Sequence, residues 1–393
     1  MKWASAISYL ESPDAAIAES VDSVRSQLDG QLPDLGVVFC TPSHRDAAET
    51  LIADLATTFP TASWIGCTGG GVIGDGRETL GGHALSLAVA SLPGVKVLPF
   101  HLAPEENPQP GDSPESWRRR LGLDDNPNPK LVVLPDPFTC DGPQLISGLD
   151  AMLPDSVTVG GLASGGEKPG ENLLFFGSLV LRKGTVGVGL TGNVAMETIV
   201  AQGCRPIANP MFITATADPF ITEIDGRQPL EVLEEIFESL SEPDRELFRF
   251  SLFLGLVMQP DQVEYGHGDF LIRTLAGVEP TSGAIAVSAP VEKGQVVQFH
   301  LRDAVASAQD LQVHLDAYTA HGNPPPSGGL LFSCLGRGEF LYGEPNHDST
   351  ALRRRLGPVP MAGFFCNGEI GPVRGSTYLH GYTSIFALFR PSD

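Results

Sequence analysis

Long apolar runs are missing from this sequence: nowhere in its 393 residues do 18 apolar side chains follow one another, so it holds no ordinary membrane-spanning helix. Positive charge is scarce. Lys and Arg number 25 against 47 Asp and Glu, and the formal charge of −22 repels nucleic-acid phosphates and anionic lipid headgroups. No nucleic-acid partner and no membrane partner is therefore expected. Cysteine is sparse as well: Cys40, Cys67, Cys140, Cys204, Cys334 and Cys366 are scattered without a CxxC pair, the pattern of reduced thiols in a reducing compartment. The opening Met1-Lys2-Trp3-Ala4-Ser5-Ala6 lacks the basic and unbroken apolar regions of an export signal, and a cytoplasmic location is expected. The signatures of common site chemistry are absent too. No HExxH and no clustered His and Asp offer a metal site, no GxxxxGK[ST] loop cradles a phosphate, and no GxGxxG opens a helix. Neither a metal nor a cofactor is expected.

What is present is an ordinary globular composition, 42 % hydrophobic and 18 % charged, able to bury a core. The length suits two folding units, placed at 1–222 and 223–393 with the boundary in the segment from Pro219 to Asp244. Residues 12–30 read as a helix: Ser12 caps it, Pro13 fits its first turn, Ile17, Val21, Val24 and Leu28 share a face, and Gly30 ends it. Leu35 to Cys40 reads as a strand, followed by a helix opened by Ser43 and Asp46 in capping-box spacing, a strand Trp64 to Cys67, and a glycine turn from Thr68 to Gly76.

That order recurs. Leu131 to Leu134, Asp141 to Leu153, Ser156 to Val159 and Gly160 to Gly166 repeat it as strand, helix, strand and turn. So do Gly329 to Cys334, a helix around Ser349 to Leu356, Met361 to Phe365 and the turn Asn367 to Gly371. Cys40 to Cys67 spans 27 residues and Cys334 to Cys366 spans 32; Cys67 to His83 spans 16 and Cys366 to His380 spans 14. The spacings point to an internal duplication, although generic α/β order produces the same succession. The fold expected is mixed α/β: two halves, each a twisted mixed or antiparallel sheet with helices on its outer face, carrying strand-helix-strand-turn repeats.

Three segments carry a resemblance to a known family. Ile65-Gly66-Cys67-Thr68-Gly69-Gly70-Gly71-Val72-Ile73-Gly74, Gly203-Cys204-Arg205-Pro206 and Phe270-Leu271-Ile272-Arg273 resemble the FIST family, a sensory module with N- and C-terminal parts. The closing half resembles it further through Cys334-Leu335-Gly336-Arg337-Gly338, Gly363-Phe364-Phe365-Cys366-Asn367-Gly368-Glu369-Ile370-Gly371-Pro372 and Leu379-His380-Gly381-Tyr382-Thr383, in that order. The resemblance implies a small-molecule ligand such as an amino acid, and a role in signal transduction rather than catalysis. No output domain is read here and no F-box fits before Leu35, so output through a separate signalling protein is expected.

Within those segments the residue chemistry names candidates. Arg337 offers a planar fork to a carboxylate, or an internal salt bridge to Glu369. Asn367, Gly368 and Glu369 suit a zwitterion, through an amide, a backbone N–H and a carboxylate; Asn and Gly also suit a plain turn. His380 fits a ligand contact, a haem iron or a satisfied core histidine. Arg205 has the same two readings as Arg337. Gly69 to Gly71 and Gly368 to Gly371 each suit a backbone cradle for a carboxylate, or a tight connection. The leading expectation is a ligand-binding sensor. A haem-linked nitric oxide sensor and a cysteine-dependent hydrolase or transferase using Cys334, Cys366 and His380 are the rivals.

Overall fold

The computed structural model describes residues 1–109, 111–123, 128–262, 264–322 and 324–392. It is a mixed α/β protein, and its contacts divide it into two units. One comprises Met1–Val200, Gln312–Leu379 and Thr383 onward; the other comprises Ala201–Leu311 with His380–Tyr382.

The first unit is built from one motif used three times. The first copy runs β1 (Lys2–Ser8), α1 (Pro13–Leu28), β2 (Leu35–Cys40), α2 (Ala48–Thr58), β3 (Ser63–Thr68), β4 (Gly71–Gly74), β5 (Arg77–Leu80) and β6 (Leu85–Ser91). The second runs β7 (Val95–Leu102), α3 (Pro114–Arg120), β8 (Lys130–Pro135), α4 (Gly142–Met152), β9 (Val157–Gly161), β10 (Leu174–Phe176), β11 (Leu179–Leu181) and β12 (Thr185–Gly192). The third begins with β13 (Ala195–Gln202), and the chain then enters the second unit. That unit holds β14 (Cys204–Pro206), β15 (Met211–Ala217), β16 (Phe220–Ile224), α5 (Pro229–Ser239), α6 (Glu242–Ser251), β17 (Leu252–Val257), β18 (Phe270–Val278), β19 (Ile285–Val287) and β20 (Val296–Arg302). The third copy resumes with α7 (Ala304–Ala320), β21 (Gly328–Cys334), α8 (Glu339–Tyr342), α9 (His347–Leu356), β22 (Met361–Cys366), β23 (Glu369–Val373), β24 (Ser376–His380) and β25 (Thr383–Arg390). Position 222/223 falls inside β16.

Each copy contributes one parallel pair, β2 with β3, β8 with β9, and β21 with β22, flanked by an antiparallel return strand. The short hairpin inside each copy does not stay with it. The three six-stranded sheets read β1-β6-β2-β3-β10-β11, β7-β12-β8-β9-β23-β24 and β13-β25-β21-β22-β4-β5, so every copy lends its hairpin to the edge of another copy's sheet, in a closed cycle. Two of these hairpins turn on two residues at positive φ, Asp75-Gly76 at 48° and 72° and Arg374-Gly375 at 50° and 87°, whose twist matches that of the strands they join.

The hairpin exchange corrects two readings made from glycine content. The glycine content of Thr68 to Gly76 predicts turn throughout, yet Gly71–Gly74 is β4; likewise Asn367 to Gly371 predicts turn, yet Glu369 onward is β23. In β4 the glycines serve close approach rather than bending, since a Cβ on Gly71 would stand 2.2 Å from the Thr79 carbonyl oxygen. The capping box read at Ser43 and Asp46 is also corrected. Pro42–Ala47 forms a 3-10 turn and α2 starts at Ala48 without a side-chain cap. Ser12 and Asp141 do cap, accepting the N–H groups of Ala15 and Gln144 at 3.5 and 2.9 Å, and α1 ends on Asp29 in the left-handed region just before Gly30.

The inner faces of all three sheets meet in one core, with Phe39 and Ile65 from the first, Val132 and Val188 from the second, and Phe332 and Phe364 from the third. Phe364 stacks on Phe39 at 4.8 Å and meets Phe332 edge-on at 6.0 Å. Helices α1 and α2 bury Val21, Val24, Leu51 and Leu55 on the outer face of the first sheet. Helix α4 does the same with Leu145 and Leu149 on the second. Each fully buried side chain of this kind contributes about 1.5 to 3 kcal/mol.

The second unit is antiparallel throughout. Its order β14-β20-β15-β16-β19-β18-β17, with an added β17–β20 pairing, closes six strands into a ring. Closure removes open edges, and Ile213, Leu254, Ile285 and Phe299 fill the core beside α5.

Candidate functional site

Open α/β sheets present polar chemistry where parallel strands end at their carboxyl termini. In the third copy β21 runs out into Leu335-Gly336-Arg337-Gly338 and β22 into Asn367-Gly368, and the two ends are tied by the Leu335 N–H donating to the Cys366 carbonyl at 3.0 Å. The loop after β21 folds tightly over Phe365: Gly338 sits at φ +66°, and a Cβ there would stand 3.0 Å from the Phe365 ring. This places the Arg337 side chain entirely inside the protein.

A buried guanidinium needs a counter-charge, and Asp348 supplies it. Arg337 Nε and Nη2 fork onto Asp348 Oδ2 and Oδ1, both at 3.2 Å. The salt bridge read from the sequence toward Glu369 is thus made to a carboxylate in the first turn of α9, where the helix dipole also favours negative charge. Asp348 further accepts the Ser384 hydroxyl at 2.5 Å and lies 3.0 Å from His347 Nδ1. Tyr342 completes the enclosure, its ring 5.6 Å from the guanidinium and stacked on His347 at 3.5 Å. Burial works against charge on both partners. The fork and the added hydrogen bonds outweigh it, holding Asp348 below the usual carboxylate range and Arg337 above its already high ordinary value.

A second carboxylate joins them from the exchanged β5. Glu78 is buried, accepts the Ser349 N–H at 2.6 Å, and has its own N–H held by Asn346 Oδ1 at 2.6 Å. Burial first, and then the negative charge of Asp348, push Glu78 up to about 7 despite the Ser349 hydrogen bond. A raised carboxyl pKa means that the folded state holds its proton more tightly than the unfolded chain between about pH 4.5 and 7. Stability should therefore fall as pH rises through that window, by on the order of 3 kcal/mol if Glu78 acts alone. Glu78→Gln keeps an acceptor for Ser349 and removes the titration, so it is expected to melt higher than the parent at pH 8 and alike at pH 5. An equal gap at both pH values would rule out Glu78 as the titrating group.

Of the other candidates, Glu369 is buried, with Oε2 accepting the Thr383 N–H at 3.1 Å. Asn367 is exposed and its N–H donates to the Leu162 carbonyl at 3.1 Å; Gly368, at φ +152°, packs where a Cβ would stand 3.0 Å from Leu379. Arg337, Asn367, Gly368 and Glu369 thus share one end of the β21–β22 pair. His380 is buried and groups with the second unit, as does Arg205, which pairs with Asp303 at 2.7 Å and with Asp244. The first glycine turn is no open cradle. Gly69 and Gly70 donate to the Cys40 carbonyl and to Ser164 Oγ, both at 2.9 Å. Sequence reasoning missed Asp348 and Glu78, because nothing local marks either as a partner of Arg337.

Cys334 is half-buried and accepts the Gly336 N–H at 3.4 Å, whereas Cys366 and Cys40 are placed unlike nucleophiles. Cys366 is fully buried and its pKa is raised well above the ordinary value, by burial first and then by the Glu369 charge; burial pushes Cys40 to about 12. Among the described residues, no group of three or more His, Cys, Asp or Glu is placed to hold a metal ion, and no helix is long and apolar enough to cross a membrane.

Comparison with known proteins agrees with the motifs that end on this site. Family models for the FIST N domain and the FIST C domain match residues 34–227 and 229–372. Uncharacterized protein Rv0628c of Mycobacterium tuberculosis is 38 % identical over 374 residues, covering 95 % of this chain and 96 % of its own. Uncharacterized protein Mb0898c of Mycobacterium bovis is 35 % identical over 379 residues, 96 % of each chain. F-box only protein 22 of Homo sapiens is 27 % identical over 124 residues, 27 % of this chain and 31 % of its own. FIST domains are small-ligand sensory domains of signalling proteins. With both halves of the module matched in order along nearly its whole length, the chain belongs to the FIST family.

Proposed function

We propose that the chain is a cytoplasmic sensor that binds a small metabolite and passes the signal to a separate protein. The observation that carries the reading is the pre-set charge at the end of the β21–β22 pair: Arg337, locked by Asp348, sits where Asn367, Gly368 and Glu369 also emerge. Arg337 and Glu369 are themselves buried and hold the strand ends rigid, so that a small charged ligand meets the exposed Asn367 and the neighbouring backbone with little entropic loss. The hydrolase or transferase reading is the weaker one for Cys366, whose pKa burial and Glu369 raise, and it would rest on the half-buried Cys334.

A thermal-shift screen over amino acids and other small charged metabolites tests the proposal. A ligand that binds only the folded state raises the melting midpoint with the logarithm of its concentration, by about 2.7 kcal/mol of stabilisation at a hundred times Kd. A saturable shift with at least one metabolite is the expected result. No shift across the panel, together with rapid alkylation of one thiol by iodoacetamide at neutral pH, would overturn the sensor in favour of thiol chemistry.

A further inference from the structure

A cavity of about 150 Å³ opens in the first unit, at the amino end of β22 and so apart from the strand ends that carry Arg337. A space of that size holds a ligand of about six heavy atoms when closed, and somewhat more when its mouth is open. Its floor is Ser5 of β1, which is buried and rigidly held. The Gln27 side chain clamps the Ser5 backbone from both sides, accepting its N–H at 3.1 Å and donating to its carbonyl at 2.8 Å. Ser5 Oγ accepts the Met361 N–H at 3.1 Å, which leaves the hydroxyl proton as a donor directed by that bond. Leu352, Pro358 and Met361 supply an apolar wall.

Two opposite charges also line the cavity. Asp75 stands on the β4–β5 turn, its exposed pairing with Arg77 a loose one at 3.9 Å. Arg353 comes from α9, with Nη1 3.6 Å from where a Cβ on Gly76 would lie. Among the described residues Arg353 enters no ion pair, whereas Arg355, one residue beyond its neighbour, pairs with Asp316 at 2.6 Å. The Arg353 charge thus reaches the cavity without a carboxylate partner among the described residues.

We infer that this cavity binds a small zwitterion of about six to eight heavy atoms, with its carboxylate on Arg353 and Ser5 and its ammonium on Asp75. The inference rests on the small-ligand reading and adds to it a site that the strand-end residues do not form. The apolar wall takes a short side chain.

Isothermal titration of the full chain with L-alanine, L-serine and L-proline, and with propionate as the carboxylate lacking an ammonium, tests it. At least one amino acid is expected to bind, and propionate more weakly. Arg353→Met and Asp75→Asn are each expected to weaken amino-acid binding about tenfold or more. Both should fold normally, since Met is a good helix former and Asn tolerates the left-handed turn that Asp75 adopts. Amino-acid binding that survives both substitutions would overturn the cavity while sparing the sensor. Propionate binding as tightly as L-alanine would overturn the zwitterion. No binding by any of the three amino acids would also overturn the cavity proposal, and the sensory reading would then depend on the wider screen.

Discussion

Replacing Arg337 by Met is expected to lower the stability of the folded chain by about 3 to 5 kcal/mol, a fall in melting midpoint on the order of 10 °C. The size of the effect comes from what remains. Without its guanidinium, Asp348 becomes a buried carboxylate close to a second one at Glu78, with only His347 and neutral donors to offset it. Asp348→Leu in the Arg337→Met background should recover most of the loss, because it removes the unpaired charge and its repulsion of Glu78. A single substitution that melts like the parent would show that water or rearrangement reaches the pair, contrary to its burial. Glu369→Gln provides the contrast on the ligand side: the amide still offers an oxygen to the Thr383 N–H at a position that β23 holds in place. If both single variants melt far lower yet bind the metabolite found in the screen unchanged, Arg337 and Glu369 brace the fold and the ligand site lies elsewhere.

The second large effect is expected at three glycines that the repeats place in equivalent positions. Gly66 lies opposite Val38, Gly160 opposite Val133 and Gly363 opposite Leu331, each within its own parallel pair. A Cβ on them would stand 1.9, 1.8 and 1.9 Å from the carbonyl oxygens of those three partners. Separations that short cannot be relieved by a side-chain rotation, because the obstacle is the backbone of a strand buried on both faces. Gly66→Ala, Gly160→Ala and Gly363→Ala should each cost more than about 4 kcal/mol, enough to abolish soluble expression. Gly81→Ala is the matching control, with no atom within 4 Å of the added Cβ, though its φ of +70° carries a small strain cost. Soluble, normally melting protein from any of the three core variants would show that the parallel pairs can spread, and would break the equivalence of the repeats.

The glycines also show why part of the fold was legible and part was not. Local signals held wherever the deciding interaction was local. Ser12 with Pro13 announces a helix because the cap bond runs only three residues, from Ala15 to Ser12, and Asp141 opens α4 in the same way through Gln144. The parallel pairs read correctly as apolar runs because both faces of those strands are buried. The reading failed where a distant strand decided the outcome. Gly71 to Gly74 carries the composition of a turn but pairs as β4 with β22, Val72 opposite Phe364, in a ladder joining residues nearly three hundred positions apart. The partner in that ladder is backbone, and backbone leaves no residue code.

The candidate site divides in the same way. Arg337, Asn367, Gly368 and Glu369 could be found by motif and by their places at strand ends. The carboxylates Asp348 and Glu78 could not, because what makes them partners is the α9 turn and an exchanged hairpin arriving at the same buried guanidinium. By itself the sequence determined the α/β class, the threefold succession of strand, helix, strand and turn, and the family, since periodicity, caps and ordered motifs are local or near-local properties. Only the tertiary structure decided the cyclic exchange of hairpins, the insertion of the closed antiparallel unit between β13 and α7, and the counter-ion of Arg337. Those depend on which backbone edges and which buried charges meet across long separations, and burial, by raising the cost of an unpaired hydrogen bond or charge, is what forces each of those meetings to be satisfied.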